Sequence, residues 1–221
     1  MAELKRQGKD IISLNVGEPD FGTPDYIKVA GMKAIADNFT KYTPGNGILE
    51  LRQAIIKKLK EDNGLDYTVN EVTTAVGAKQ AIASAMMVIA GPGDEVLLPI
   101  PCWVSYTEMI RLAGATPVFV PVRQDNYELD LDAIRAAITP RTKAIVICTP
   151  NNPTGAVYSE KSLRELADLA VKHDFFIVAD EIYEKMVYDN SLLPAISTRI
   201  KIMGGMDISE KRKPQDGRMS V

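Results

Sequence analysis

Two β-type runs, Lys143–Cys148 and Phe175–Ala179, flank one helical pattern from Ser159 to His173. The first run is apolar from its second residue onward and the second throughout. Leu163, Leu166, Ala167 and Ala170 recur three or four apart, which gives the helix one apolar face. Strands without polar alternation have no face to give to water, so they belong in a parallel sheet covered on both sides. The same alternation extends toward the N-terminus. Val72–Val76, Glu95–Pro99 and Pro117–Val122 read as strands, and Lys79–Ile89, Trp103–Ala113 and Asp130–Ile138 as helices. Gly77, Gly91-Pro92-Gly93, Gly114 and Pro140 punctuate them. Two further helical patterns cover Asp25–Asp37 and Leu49–Glu61. The sequence therefore predicts an α/β fold: a mainly parallel sheet with helices on both faces.

Composition narrows the function classes. With 46% hydrophobic residues in 221, the chain has enough apolar material for a real core. The net charge is −3, which argues against a general nucleic-acid binder. That charge is uneven: residues 191–221 carry +3 and the first 190 carry −6. Two cysteines, Cys102 and Cys148, make no disulfide framework, and a single histidine, His173, excludes a histidine-rich metal site. No apolar leader opens the sequence, and the longest apolar stretch, Ala81–Ala90, is far short of a membrane span. A cytoplasmic location is the expectation.

Ligands of such sheets bind outside the carboxyl ends of the strands. Four segments fall there, each with an ordinary alternative. Gly77-Ala78-Lys79 joins a strand to a helix start, where free N–H groups and the helix dipole suit an anion; otherwise it is a plain tight turn. Trp103 offers a flat face for stacking on a planar ring, or is a core residue. Thr149–Gly155 reads as a turn with two adjacent amides, Asn151 and Asn152, and Asn152–Pro153 is a candidate cis bond. Asp180 ends an apolar strand, and a carboxylate there needs a partner: a protonated heterocyclic nitrogen, or a helix start that it caps. Tyr183, three residues on, either donates to an oxygen of the same ring or simply packs. Taken as a set, these residues suit a phosphorylated aromatic cofactor.

In this order the residues resemble the class I aminotransferases, the aspartate aminotransferase-like branch of the pyridoxal-phosphate enzymes. The pieces that carry the likeness are Asn15–Phe21, Lys41–Gly45, Val76–Gln80, Gly91–Val96, Pro101–Trp103, Asn151–Gly155 and Val178–Tyr183, within a match from about residue 4 to 190. The resemblance implies the large-domain fold and pyridoxal 5'-phosphate as cofactor. It implies that Gly17 lies at the substrate carboxylate, where Trp103 and Asn152 also line the substrate. It implies that Tyr42 reaches the cofactor phosphate of the partner subunit in a homodimer. Ala78 and Lys79 would offer backbone N–H groups to the phosphate, and Trp103 would stack on the ring. Asn152 and Tyr183 would bond the phenolic oxygen, and Asp180 would hold the ring nitrogen protonated. The implied reaction moves an amino group between an amino acid and a 2-oxo acid.

The pattern stops before the family's Schiff-base lysine, which follows the aspartate by roughly thirty residues. Lys211 stands at that distance, but Glu210 precedes it where a small residue is usual, Pro214 interrupts the stretch, and no apolar strand leads in. The expectation is that this lysine is absent, that Lys211 does not replace it, and that the chain is truncated and inactive as given. A truncated sheet would leave an exposed edge and low stability. Residues 192–221 instead resemble the N-terminal subdomain of type II secretion and type IV pilus assembly ATPases, most clearly at Pro214–Arg218. No phosphate-loop motif occurs. The organisation expected is an aminotransferase segment over 1–190 joined to an unrelated basic tail over 191–221. The alternative function is a non-enzymatic interaction module whose tail docks on an acidic partner.

Overall fold

The computed structural model describes residues 2–10, 17 and 21–187. It divides into two compact units, with the boundary after Thr43. The N-terminal unit contains α1 (Ala2–Arg6) and α2 (Asp25–Ala36). Pro24 precedes α2 and Asp25 sits in its first turn, both favourable at a helix start. No residue of α2 is buried.

The second unit holds the sheet. In chain order it runs α3 (Leu49–Asn63), a short 3-10 turn (Val69–Glu71), α4 (Gly77–Ile89), β1 (Glu95–Ile100), α5 (Ser105–Leu112) and β2 (Thr116–Pro121). It continues through α6 (Leu131–Ala137), β3 (Thr142–Cys148), α7 (Glu160–His173) and β4 (Phe176–Asp180). The helix ends follow local chemistry. Asp130 caps α6 by accepting from the N–H groups of Asp132 and Ala133, and Ser159 caps α7 by accepting from Ser162 N–H. Gly64 ends α3 in the left-handed region, at φ +70°.

The strand order is β2-β1-β3-β4, with every pairing parallel. Successive residues of β1, β3 and β4 serve opposite cores. Val96, Leu98, Ala144, Val146, Cys148 and Val178 pack with α4 and α5. Leu97, Ile145, Ile147, Ile177 and Ala179 pack with α6 and α7. The expected sheet with helices on both faces is present. Of its two edges, β2 is the exposed one, with only Val120 of that strand buried. Pro117 and Pro121 lie on it, and proline blunts an edge because it offers no N–H.

One expected strand is not one. Val72–Val76 does not join the sheet; Thr74 N–H donates to Asn46 O at 3.2 Å instead. β-branched residues favour extended backbone, but a ladder requires a neighbour that tertiary packing must supply.

Glu95 fastens the start of β1 to the start of β3. Its carboxylate accepts from Thr139 Oγ1 at 2.5 Å and from Arg141 Nε at 2.9 Å, and is 9% exposed. The Thr139 hydroxyl, and then the Arg141 guanidinium, hold it below the usual carboxylate range against the opposing effect of burial. A lowered folded value means stability present at neutral pH and lost as pH falls through that value. Glu95→Gln is expected to cost about 1 kcal/mol at pH 7 and to flatten the acid limb of stability, read by thermal melts between neutral and acid pH. Leu97, fully buried on the central strand, is expected to cost about 2–5 kcal/mol on Leu97→Ala by denaturant titration.

Candidate active site

The site forms at the carboxyl ends of the strands. At its entrance, Gly77 turns the chain into α4 with φ +77°, a left-handed conformation that suits glycine. Ala78 and Lys79 then occupy the first turn of α4, where N–H groups have no intrahelical acceptor. Val76, at the N-cap, supplies no side-chain cap to them. This thirteen-residue helix therefore presents donors and the positive end of its dipole together.

The next segment follows β1 through a cis Ile100–Pro101 bond. Sequence spacing placed Trp103 inside a helix; α5 instead starts at Ser105. Trp103 stands just before it, half-buried, and its carbonyl accepts from Tyr106 N–H at 3.2 Å. The Trp103 indole meets the Tyr106 ring edge-on, with centroids 5.3 Å apart and planes at 87°. Lys79 Nζ lies 5.0 Å from the centre of the Trp103 ring. Ala78, Trp103 and Tyr183 all pack against the core cluster that includes Cys148 and Val178.

The turn after β3 separates its two asparagines. Asn151 is buried and occupied within the loop: its Oδ1 accepts from Thr154 Oγ1 at 2.9 Å and from Thr154 N–H at 3.3 Å. Asn152 is the one turned to the site, with Nδ2 donating to Tyr183 Oη at 3.3 Å. The Asn152–Pro153 bond is cis as expected, as is Thr149–Pro150.

Asp180 closes β4 and is 4% exposed. It pairs in register with Cys148 of β3, which puts thiol and carboxylate side by side at the sheet's end. The Tyr106 phenol donates to Asp180 Oδ2 at 2.7 Å, and Ile182 N–H donates to Oδ1 at 3.1 Å. The cap-like contact anticipated for Asp180 is thus present on one oxygen, at a turn and not at a helix. Burial, with smaller contributions from Cys148 and Asp180, pushes the Tyr106 phenol far above its usual range, so it remains a donor. Burial, and then the charge of Asp180, pushes the Cys148 thiol up to about 11. Its Sγ donates to Pro150 O at 3.2 Å.

The structure thus gathers Ala78, Lys79, Trp103, Asn152, Asp180 and Tyr183 in one unit. Gly17 and Tyr42 belong to the N-terminal unit and are exposed. Lys211 lies outside the described residues. Sequence reading missed Tyr106. Its signal was a pair of aromatic residues three apart, Trp103 and Tyr106, at the start of a helical pattern.

Known proteins resemble this chain over most of its length. The model of the family "Aminotransferase class I and II" matches residues 9–209, which runs past the join expected near residue 190. The aspartate/prephenate aminotransferase of Thermus thermophilus is 50% identical over 188 residues, covering 85% of this chain and 49% of that protein. The aspartate aminotransferase of a Bacillus species (strain YM-2) is 45% identical over 190 residues, covering 86% of this chain and 48% of that one. A solved structure of Thermus thermophilus aspartate aminotransferase, a single mutant, superposes with a TM-score of 0.86 at 45% identity, covering 91% of this chain and 53% of that chain. The chain spans about half the length of the relatives it matches. The fold is that of the aminotransferase large domain.

The two thiols should report the site's burial. At pH 8, a thiol with a value near 11 is ionised in about one molecule per thousand. Cys148 is therefore expected to resist a disulfide reagent in the native protein and to react on unfolding. Cys102, half-buried and also raised by burial, is expected to react first but more slowly than free cysteine.

Proposed function

The chain belongs to the class I and II aminotransferase family, and on that premise we propose that Ala78 to Tyr183 form the cofactor side of a pyridoxal 5'-phosphate site for amino transfer. The observation that carries this reading is the buried Asp180 carboxylate. Tyr106 and Ile182 N–H occupy one lone-pair site on each oxygen, and one more on each oxygen remains to accept from a cationic N–H. A protonated pyridine nitrogen is such a donor.

The other residues suit the rest of the group. Ala78 and Lys79 offer N–H groups to a phosphate at the start of α4. Trp103 offers a ring face, and the Asn152–Tyr183 pair offers an amide and a hydroxyl to a phenolic oxygen. Bound there, the cofactor supplies an electron sink for a substrate carbanion. This chain's residues bind and orient it: Asp180 keeps a proton on the ring nitrogen, Trp103 fixes the ring plane, and the α4 start holds the phosphate.

The reading extends, on the family resemblance, to Gly17 at the substrate carboxylate, to Tyr42 reaching the phosphate of a partner subunit, and to a cytoplasmic homodimer. Trp103 and Asn152 would also face substrate. Relatives named as aspartate or aspartate/prephenate aminotransferases support an acidic amino acid as donor and a 2-oxo acid as acceptor. The likeness of Pro214–Arg218 to a secretion ATPase is a proposal from sequence alone. So is the reading that a chain of this sequence holds the cofactor without a covalent lysine and does not turn over by itself.

The test is titration of the 221-residue protein with pyridoxal 5'-phosphate, followed by absorbance, then borohydride trapping and peptide mapping. One saturable site is expected, weakened about tenfold or more by Asp180→Asn and by Trp103→Ala. Binding that does not saturate, or that both variants leave unchanged, overturns the site. Trapping confined to Lys211 would overturn the non-covalent reading while leaving the site in place.

A further inference from the structure

Tyr106 is a buried titratable group that neither the sequence motifs nor the proposed ligand contacts use. Its hydroxyl is 2.7 Å from Asp180 Oδ2, and the residue is 2% exposed. The phenol enters from α5, on the helical layer over one sheet face, whereas Ile182 N–H reaches Oδ1 from the turn after β4. Two donors on opposite oxygens fix the carboxylate plane, because rotation about Cβ–Cγ breaks both bonds. The phenol is itself fixed: its ring is packed edge-on by Trp103, and the first turn of α5 ties back to the Trp103 carbonyl.

We infer that Tyr106 is a positioning residue: it sets the orientation of the Asp180 carboxylate toward a heterocyclic N–H and couples it to the Trp103 ring that stacks on the same heterocycle. This rests on the reading of Asp180 as the ring-nitrogen partner. The geometry makes the coupling specific, since a single residue touches both the stacking side chain and the charge-bearing one. Burial raises the phenol far above its usual range, so it is a donor at neutral pH. Cys148 also faces this cluster through the phenol, but its Sγ–H is committed to Pro150 O.

The experiment compares wild type, Tyr106→Phe and Asp180→Asn by two readouts on the full chain. The first uses the free protein: a phenol hydroxyl proton bonded to a buried carboxylate gives a protected, downfield proton resonance. It should be present in wild type, absent in Tyr106→Phe and shifted in Asp180→Asn. The second uses ring-15N-labelled pyridoxal 5'-phosphate, whose nitrogen shift reports ring protonation.

Wild type should show the protonated nitrogen and Asp180→Asn the neutral one. Tyr106→Phe should show a mixture, with affinity about tenfold weaker. If Asp180→Asn abolishes ring protonation but Tyr106→Phe matches wild type in shift and affinity, the positioning role is overturned and the Asp180 reading survives. If the cofactor does not bind, or its nitrogen ignores Asp180→Asn, the Asp180 reading fails and the inference fails with it. The hydroxyl resonance still decides whether the Tyr106–Asp180 bond exists. Should Tyr106→Phe not fold, 3-fluorotyrosine at 106 keeps the donor and changes its strength. An unmoved ring-nitrogen shift would then overturn the role.

Discussion

Every strand of the β2-β1-β3-β4 sheet runs the same way, so each must return through a crossover, and the central strands have no face left for water. That constraint propagates outward. Leu97 serves one core while Val96 and Leu98 serve the other, and helices must cover both. The strands all end on the same side, where the segments that leave β1 and β3 carry Trp103 and Asn152 and the last residue of β4 is Asp180. The site is a consequence of that shared direction more than of any one motif.

The same burial that stabilises the sheet makes its end electrostatically demanding. A carboxylate that is 4% exposed beside a thiol in register must find donors. Asp180 finds a phenol from α5 and a main-chain N–H from its own turn. Burial of the Tyr106 phenol and of the Cys148 thiol themselves, with smaller contributions from the Asp180 charge, drives both toward their neutral forms. A negative charge beside two groups that stay neutral is an environment suited to a cationic heterocycle.

Most of the sheet was legible because its strands are apolar without alternation and its helices carry clear stops. Ser159 and Asp130 mark α7 and α6 by their capping chemistry, and Gly114 ends the α5 segment with φ +84°. The reading failed where a partner had to be known. Val72–Val76 has strand-like residues but no ladder, and α5 begins two residues after Trp103 because Pro101 and the following turn delay it. Period and punctuation locate the strand ends at which the candidate residues Trp103, Asp180 and Tyr183 and the asparagine pair Asn151 and Asn152 stand.

By itself the sequence determined the layered α/β architecture, the direction of its strands and the loops on which the site stands. These follow from local apolar periodicity and turn chemistry, which a residue and its near neighbours carry. Only the tertiary structure decided that Asn151 is held within its own loop while Asn152 bonds Tyr183, that Val72–Val76 stays outside the sheet, and that Tyr106 is the partner of Asp180. Those residues are 74 positions apart, and their bond exists because Tyr106 of α5 is buried in the same core cluster as Val178 of β4. A contact of that separation depends on how two elements meet in space, and no spacing within either of them encodes it.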